Sequence, residues 1–200
     1  MNRFVYADNA ATTPLSETAF EAMKPWLTEF YGNPSSLYRI GREAKMALNE
    51  ARTTVGKCLN AAMPVNEAND YAPGEIIFTG GGSQADNLAI RGFMHGPTAK
   101  GRKHLITSKI EHHAVLNSVK ALEHDGYEAT YLVPDGEGFV TPERVAAAVR
   151  DDTALVAVML ANNEIGTIEP VCEIASAVKA KNRSTLVFTD AVQAVGAIPV

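Results

Sequence analysis

From residue 75 onward, short apolar runs alternate with longer stretches in which apolar residues recur every three or four positions. The short runs predict β-strands, and the longer stretches predict amphipathic helices. Strands that alternate with helices of this length are typical of βαβ units, so we expect an α/β fold with a mostly parallel sheet and helices on both faces. The predicted strands are 75–79, 104–108, 129–133, 154–160 and 186–189, and the predicted helices are 83–94, 114–124, 142–150 and 171–181.

The pattern before residue 75 is less regular. Residues 1–14 carry polar turn residues and predict an extended arm, and Ser16 can cap a helix that runs toward Phe30. A cluster of helix breakers at 32–36 precedes a second helix. The apolar or small positions of that helix are Ala44, Leu48, Ala51, Val55 and Leu59.

These patterns divide the chain into three parts. We predict an N-terminal arm at 1–14, a helical segment at 15–60 and a large α/β domain at 61–200. Residues 60–74 are rich in Asn, Pro and Ala and predict a surface insertion.

Composition narrows the classes of function. The chain has 200 residues, of which 46% are hydrophobic and 20% charged, as in ordinary globular proteins. A net charge of −5 gives no support for nucleic-acid binding, and no apolar run reaches the ~18 residues of a membrane span. The N-terminus has no apolar signal region, and Cys58 and Cys172 are far apart in sequence. We therefore expect a cytoplasmic protein without a disulfide framework.

A triple-glycine turn, Gly80–Gly82, precedes the helix predicted at 83–94. Glycine lets a backbone approach a ligand closely, and free N–H groups at a helix N-terminus bind anions. Ser83 can cap this helix, with Asp86 three residues later. The turn therefore indicates either a phosphate site or a plain turn before a capped helix. A dinucleotide fingerprint also matches here, but the next strand lacks the acid that this fingerprint requires at its end.

Polar residues also follow three later strands. Glu111-His112-His113 follows strand 104–108, Asn162-Asn163-Glu164 follows strand 154–160, and Asp190 follows strand 186–189. Ligands of open α/β sheets bind outside the carboxyl ends of the strands, so these residues predict a binding crevice.

Each polar group has a chemical interpretation and a simpler alternative. A histidine at a helix start can stack on a planar ligand or transfer protons, but it is also an ordinary polar helix start. Asn162 and Asn163 can orient a ligand or cap a turn. Asp190 lies among apolar residues and needs a partner, and it would keep a ligand nitrogen protonated. No spacing typical of metal ligands is present, so no metal site is predicted.

Taken together, these groups match the needs of pyridoxal phosphate. Its phosphate needs N–H donors, its ring needs a face on which to stack, and its ring nitrogen needs a carboxylate so that the ring can draw electrons from an amino acid.

The same stretches resemble a known family. The chain is similar to the N-terminal half of the group I cysteine desulfurases, of aminotransferase class V, which have the fold type I of pyridoxal phosphate-dependent transferases. The matches fall in the family's order and cover nearly all 200 residues. They are Asp8–Pro14, Gly32–Ser36, Phe78–Ser83, Ile110–Leu116, Ala161–Gly166 and Thr189–Gln193.

The resemblance implies roles at the first two cofactor motifs. Gly82 and Ser83 would bind the cofactor phosphate, and His112 would stack on the pyridine ring and assist proton transfer. Gln84 stands where the family usually has glutamate, and His113 stands where lysine is common. Neither of these two is assigned a role.

The resemblance also implies roles at the last two motifs. Asn163 would lie near the ring oxygen of the cofactor and the substrate. Asp190 would pair with the ring nitrogen, and Gln193 would bond the ring oxygen.

The implied activity is removal of sulfur from L-cysteine, which gives L-alanine and an enzyme persulfide for an iron–sulfur scaffold or another acceptor. A homodimer is implied for the full-length protein. The family's Schiff-base lysine, nucleophilic cysteine and substrate-binding arginine fall beyond residue 200. We therefore expect the 200 residues alone to be inactive, and to associate through an open sheet edge. Cys58 is interpreted as a small core residue, and Cys172 does not match the family's cysteine.

Three alternatives remain. Selenocysteine lyases share most of these motifs. A non-catalytic fragment or partner-dependent half-domain would share the fold without the reaction. A nicotinamide-dependent dehydrogenase depends only on the dinucleotide fingerprint.

Overall fold

The computed structural model describes residues 3–61 and 76–200. Residues 62–74 of the predicted insertion, and the first residue of the strand predicted at 75–79, lie outside these ranges. The chain forms two compact units, Met1–Phe78 and Thr79–Val200. The predicted division at residue 61 stays a prediction, because the residues that follow it are not described.

The first unit contains the two predicted helices, α1 (Glu17–Thr28) and α2 (Arg39–Cys58). The Ser16 hydroxyl accepts a hydrogen bond from the N–H of Ala19 at 3.2 Å, which confirms the predicted cap. Helix α1 ends two residues earlier than predicted, and the N–H groups of Glu29 and Phe30 both donate to the Pro25 carbonyl.

The breaker cluster packs closely against the start of α2. A Cβ atom on Gly41 would lie 2.6 Å from the carbonyl oxygens of Asn33 and Ser36, so only glycine fits at this crossing. One expectation here was wrong, because Cys58 is exposed and does not lie in a core. It is the last residue of α2, and the residues that this helix buries are Gly41, Asn49 and Gly56.

The second unit is a four-stranded parallel sheet with the strand order β2-β1-β3-β4. The α/β class predicted from the sequence is confirmed. The strands are β1 (His104–Ser108), β2 (Glu128–Leu132), β3 (Thr153–Ala157) and β4 (Leu186–Phe188). The helices are α3 (Gly82–His95), α4 (His113–His124), α5 (Pro142–Ala148) and α6 (Val171–Lys181), with a short 3-10 turn at Pro97–Ala99.

Each face of the sheet has its own apolar core. Every residue of β1 and β3 is buried, as expected for central parallel strands, whereas β2 and β4 at the edges are partly exposed. Side chains alternate along the strands, so Leu105 and Ile106 point to opposite faces. Helices α3 and α4 cover the first face with Ile90, Met94, Val115, Val119 and Leu122. Helices α5 and α6 cover the second face with Val145, Ile174 and Val178.

The strand order creates one crevice. The chain leaves β1 toward β2 on one side, and leaves β3 toward β4 on the other. Connections therefore diverge between the carboxyl ends of β1 and β3, which is the point where ligands bind in open α/β sheets. The polar residues that follow β1, β3 and β4 lie at this edge, because the carboxyl ends of parallel strands meet on one side of the sheet.

Two predicted strands differ from the structure. Residues 76–79 are not a strand, and Ile77 and Phe78 are exposed, because no described residue pairs with their backbone. The strand predicted at 154–160 ends at Ala157. Beyond it, the N–H groups of Val158 and Leu160 still donate to the carbonyls of Phe188 and Asp190, so pairing continues on one side only.

A buried histidine lies at the opposite end of β1 from this crevice. The ring nitrogens of His104 lie 2.7 Å from the Thr153 hydroxyl and 2.9 Å from the Thr130 hydroxyl. Burial, with the nearby Arg150 charge, lowers the pKa of His104 below its usual value. The residue therefore joins three strands as a neutral ring.

Among the described residues, no helix combines the length and the apolar character needed to cross a membrane.

The central strands should carry most of the stability of the second unit. We expect Ile106→Ala, at a wholly buried position, to lower the free energy of unfolding by about 2–4 kcal/mol through lost burial and a cavity. Ile168→Ala makes the same change at a half-exposed position and should cost less than about 1 kcal/mol. Urea denaturation measures both, and equal losses would contradict this view of the core.

Candidate functional site

The triple-glycine turn holds the N-terminus of α3 in a defined shape. Gly81 is the N-cap, with φ of 154°, and its carbonyl accepts from the N–H groups of Gln84 and Ala85. The N–H of Gly80 donates to the Gln84 side-chain oxygen at 2.6 Å. Gln84 therefore closes the turn from the third helical position, as the glutamate of a capping box does. The N–H groups of Gly82 and Ser83 stay free of partners among the described residues.

Ser83 does not cap the helix, contrary to the prediction. Helix α3 begins one residue earlier, at Gly82, so Ser83 lies within its first turn with an exposed side chain. The reason is that the glycine at 81 already adopts the non-helical cap conformation. This leaves the Ser83 hydroxyl available to a ligand at the helix N-terminus.

A buried carboxyl group connects the ends of β1 and β3. Glu111 accepts a hydrogen bond from the Ser108 hydroxyl and, with the same oxygen, from the N–H of Met159 at 3.1 Å. At this level the chain after β1 is bonded to β2 instead of β3, since the N–H of Lys109 donates to the Leu132 carbonyl. The Glu111 side chain thus replaces the missing strand as the acceptor for β3.

An amide reinforces the same junction. Asn162 is buried, and its side-chain N–H donates to the Ile110 carbonyl at 2.7 Å. Its side-chain oxygen accepts from the N–H groups of Glu164 and Ile165 at 2.7 and 2.9 Å. Asn162 is therefore the structural member of the Asn pair, which confirms the turn-capping alternative for this residue. Asn163 is exposed and makes no hydrogen bond within the described residues.

Asp190 follows β4 and is 8% exposed. One of its carboxylate oxygens accepts from the N–H of Val192 at 2.9 Å, which fixes the side chain relative to its own backbone. The second oxygen has no partner among the described residues. The Asp190 backbone carbonyl accepts from Leu160, so this acid is attached to the extension of β3.

His112 is the N-cap of α4. Its Nδ1 accepts from the N–H of Ala114 at 3.1 Å, so the neutral ring carries its proton on Nε2. The ring is exposed, and the His113 ring lies edge-on to it at 6.2 Å between centroids. A capped ring with one free N–H and an exposed face can stack on a planar ligand and exchange a proton with it.

A third acid shares this site. Asp86 is 4% exposed, and burial together with the Asp190 charge raises its pKa to about 6, while His112 acts in the opposite direction. The Asp190 carboxylate and the His112 ring therefore both lie close enough to Asp86 to influence its ionisation.

Glu111 belongs to the same electrostatic group. Burial is the main cause that raises its pKa to about 7, and the Asp190 and Glu169 charges add to the shift. The Ser108 and Met159 hydrogen bonds oppose it. Its second oxygen is buried without a hydrogen-bond partner among the described residues.

The structure brings together the glycine turn, His112 and Asp190. A Cβ atom on Gly82 would lie 2.9 Å from a methyl group of Val192, so the turn touches the segment that holds Asp190. Gln193 lies half-buried on this same segment. No contact joins Asn163 or Gln193 to the other site residues among the described parts of the chain.

These groups fit the chemistry of pyridoxal phosphate. Free N–H groups and a hydroxyl at Gly82 and Ser83 suit a phosphate, and the free oxygen of Asp190 suits a ring N–H. A side chain at position 82 would collide with Val192, so the glycine keeps the N-terminus of α3 close to the segment that holds Asp190. Among the described residues, no group of three or more His, Cys, Asp or Glu could hold a metal ion.

Sequence reasoning assigned no function to Glu111, and it placed Asp86 only as a possible capping partner. The signal for Asp86 was its position four residues before Ile90 and eight before Met94, which marks one buried helix face. The signal for Glu111 was weaker. An acid three residues after a buried strand does not reveal that it will accept from another strand.

Comparison with known proteins agrees with this geometry. The family described as aminotransferase class-V matches residues 5–200. A cysteine desulfurase IscS from Dictyoglomus turgidum is 50% identical over 200 residues, which cover all of this chain and 48% of that relative. The chain thus spans about half the length of the curated relatives it matches.

Comparison with solved structures agrees with the sequence comparison. A protein titled NifS-like is 38% identical with a TM-score of 0.87 over 96% of this chain and 50% of that one. A structure titled "SspA in complex with cysteine" is 36% identical with a TM-score of 0.83, over 94% of this chain and 51% of its own. The resemblance and the fold type stated from the sequence are confirmed.

The buried Glu111 carboxyl predicts a pH dependence of stability. Its pKa is near 4.5 in the unfolded chain and about 7 in the folded one, so folding favours the protonated form. Its stabilising effect is complete below pH ~4.5 and is lost as the pH rises through ~7, a loss of about 3 kcal/mol. We expect Glu111→Gln to remove this loss.

Urea denaturation between pH 4 and pH 8 measures the effect. The matched control, Glu164→Gln, changes an exposed acid on the neighbouring loop and should keep the wild-type pH dependence. A Glu111→Gln protein that still loses the same stability between these pH values would show that Glu111 is not the group responsible.

Proposed function

Because the chain belongs to the aminotransferase class V family, we propose that it forms the cofactor-binding part of a pyridoxal phosphate-dependent cysteine desulfurase. The proposed substrate is L-cysteine, and the products are L-alanine and a persulfide on the enzyme. The observation that supports this most is the meeting of a glycine-rich helix N-terminus, an exposed histidine ring and a buried carboxylate at one crevice. Identities near 50% to proteins named cysteine desulfurase IscS point to the same reaction.

Two groups would bind the cofactor at its phosphate. The N–H groups of Gly82 and Ser83 point along the axis of α3, whose N-terminus carries partial positive charge. Gln84 keeps the turn in shape through the Gly80 N–H, so the donors are in place before a ligand arrives.

His112 and Asp190 would hold the ring between them. Pyridoxal phosphate, when bound, supplies an electron sink that weakens bonds in an attached amino acid. The free oxygen of Asp190 would accept a hydrogen bond from the ring N–H and would keep the proton on that nitrogen by charge attraction. His112, with Nδ1 occupied by the Ala114 N–H, presents Nε2 as the atom that can give or take a proton.

Asn163 and Gln193 would complete the site from its two sides. Both are polar, and both follow strands that end at the crevice. We propose Asn163 as a contact to the substrate and ring oxygen, and Gln193 as a donor to the ring oxygen.

The wider functional setting is also part of the proposal. A persulfide needs an acceptor, for which we propose an iron–sulfur scaffold or another sulfur-accepting protein in the cytoplasm. The helical unit exposes several large aromatic side chains, which suits a homodimer interface in the full-length protein. These side chains include Phe20, Trp26, Phe30 and Tyr31.

The reaction itself is the first test. Full-length protein loaded with pyridoxal phosphate should convert L-cysteine to L-alanine and, with a thiol reductant, release sulfide. Asp190→Asn should lower the rate by roughly two orders of magnitude, because the ring nitrogen loses its charged partner. The control Asp151→Asn changes an exposed acid and should keep the wild-type rate. Turnover of L-selenocysteine but not of L-cysteine would favour a selenocysteine lyase instead.

The phosphate site gives a second test. Ser83→Ala should weaken the binding of pyridoxal phosphate roughly tenfold, since a hydrogen bond to a charged group is lost. The same variant should bind pyridoxal, which has no phosphate, as wild type does. Equilibrium dialysis measures both ligands, and Ser176→Ala on α6 is the matched control. An equal loss for pyridoxal would mean that Ser83 does not contact the phosphate.

A further inference from the structure

One buried acid at the crevice has no task in the proposed reaction. The buried residues of α3 are Asp86, Ile90 and Met94, spaced four apart, and Gly82 lies four positions before them. This stripe faces inward, with apolar members packed in the core and Asp86 at the end nearest the crevice. Asp86 is 4% exposed, and its carboxyl group makes no hydrogen bond to any described residue.

Such an arrangement is costly unless something compensates it. An unpaired buried carboxylate loses its hydration without gaining a partner. Replacing Asp86 with alanine or leucine would cost the helix little stability, because either residue would extend the apolar stripe. An acid retained here therefore points to a charge that the crevice uses.

The residues around Asp86 show which charged groups its carboxyl group interacts with. Its helix begins at Gly82, which touches Val192, and the Val192 N–H is bonded to the Asp190 carboxylate. Among the described residues, the charged groups that act on Asp86 are Asp190 beyond β4 and His112 at the start of α4. Asp86 therefore lies one helical turn from the residue that contacts the Asp190 segment, and its carboxyl group is influenced by the Asp190 charge.

We infer that Asp86 is a positioning residue that acts through Asp190, adding a second negative charge that keeps the proton on the ring nitrogen of bound pyridoxal phosphate. This inference depends on the proposed function. It requires no bond change other than the transfer of a proton between nitrogen or oxygen atoms and water.

The effect should depend on pH in one direction. The pKa of Asp86 is about 6, raised first by burial and then by the Asp190 charge. Above pH ~6 the group is ionised and attracts the ring N–H. Below pH ~5 it is neutral and contributes no charge.

The test compares two probes in the full-length protein. Pyridoxal phosphate has a ring nitrogen, and 1-deazapyridoxal phosphate has a carbon in its place with the same phosphate. We expect Asp86→Asn to weaken pyridoxal phosphate binding roughly fivefold at pH 8 and not at pH 5. Binding of the deaza compound should be the same in both proteins at both pH values, which removes any effect of phosphate titration.

The outcomes separate the inference from the proposed function. If wild type binds neither probe, the proposed function fails. If wild type binds both but Asp86→Asn changes neither, or changes both equally, the inference about Asp86 fails while the proposed function stands. Asp151→Asn, at an exposed acid, is the control for a general change of charge.

Folding of the variant is checked by thermal melting. Asparagine has the shape of aspartate, and Asp86→Ser provides a smaller neutral side chain if the asparagine variant does not melt cooperatively. Either folded variant should show the same selective loss at pH 8. Failure of both to fold would assign Asp86 to stability and overturn its role at the ring nitrogen.

Discussion

The site depends on the Glu111 carboxyl group, which takes the place of a strand. Strands β1 and β3 are paired only up to Thr107 and Ala157. Without an acceptor, the N–H of Met159 would be buried and unpaired, which costs free energy. Glu111 satisfies this N–H from the far side of the gap, and Asn162 returns a bond to Ile110. The crevice is therefore an opening between strands with both of its walls fixed.

The same arrangement places several buried acids at one edge of the sheet. Asp86, Glu111 and Asp190 are all less than a tenth exposed, and the Asp190 charge makes both Asp86 and Glu111 harder to ionise. Like charges held together out of water destabilise a fold, and they persist where a site uses them. A cationic ligand nitrogen would relieve this repulsion. The same groups that weaken the free protein would thus favour its complex with the cofactor.

Sequence patterns predicted most of the fold because they depend on local periodicity. Central strand β1 and helix α6 were predicted at their observed bounds, since a fully buried strand and a helix after Pro170 are both marked by neighbouring residues. The strand at 75–79 was wrong because strand formation requires a partner backbone, which its own sequence does not specify. Cys58 was wrong for a related reason, since helical spacing predicts a buried face but not how far packing extends along it.

The residues of the candidate site also fall into those that the sequence could predict and those that it could not. His112, Asn163 and Asp190 could be selected because a polar residue directly after an apolar strand marks the carboxyl edge of a sheet. The function of Glu111 could not be predicted, because its partner Met159 is 48 residues away and offers only a backbone N–H. The cap of α3 was predicted two positions too late, at Ser83, because Gly81 takes the cap. Local chemistry thus identifies the groups, and long-range backbone geometry decides which of them meet.

The most direct measurement is a crystal structure of the full-length protein with pyridoxal phosphate bound. We predict that the ring nitrogen lies within hydrogen-bond distance of an Asp190 oxygen, about 2.6–3.0 Å, with the phosphate at the N–H groups of Gly82 and Ser83. A ring bound at this crevice with its nitrogen turned away from Asp190, or a cofactor bound elsewhere in the chain, would contradict the account.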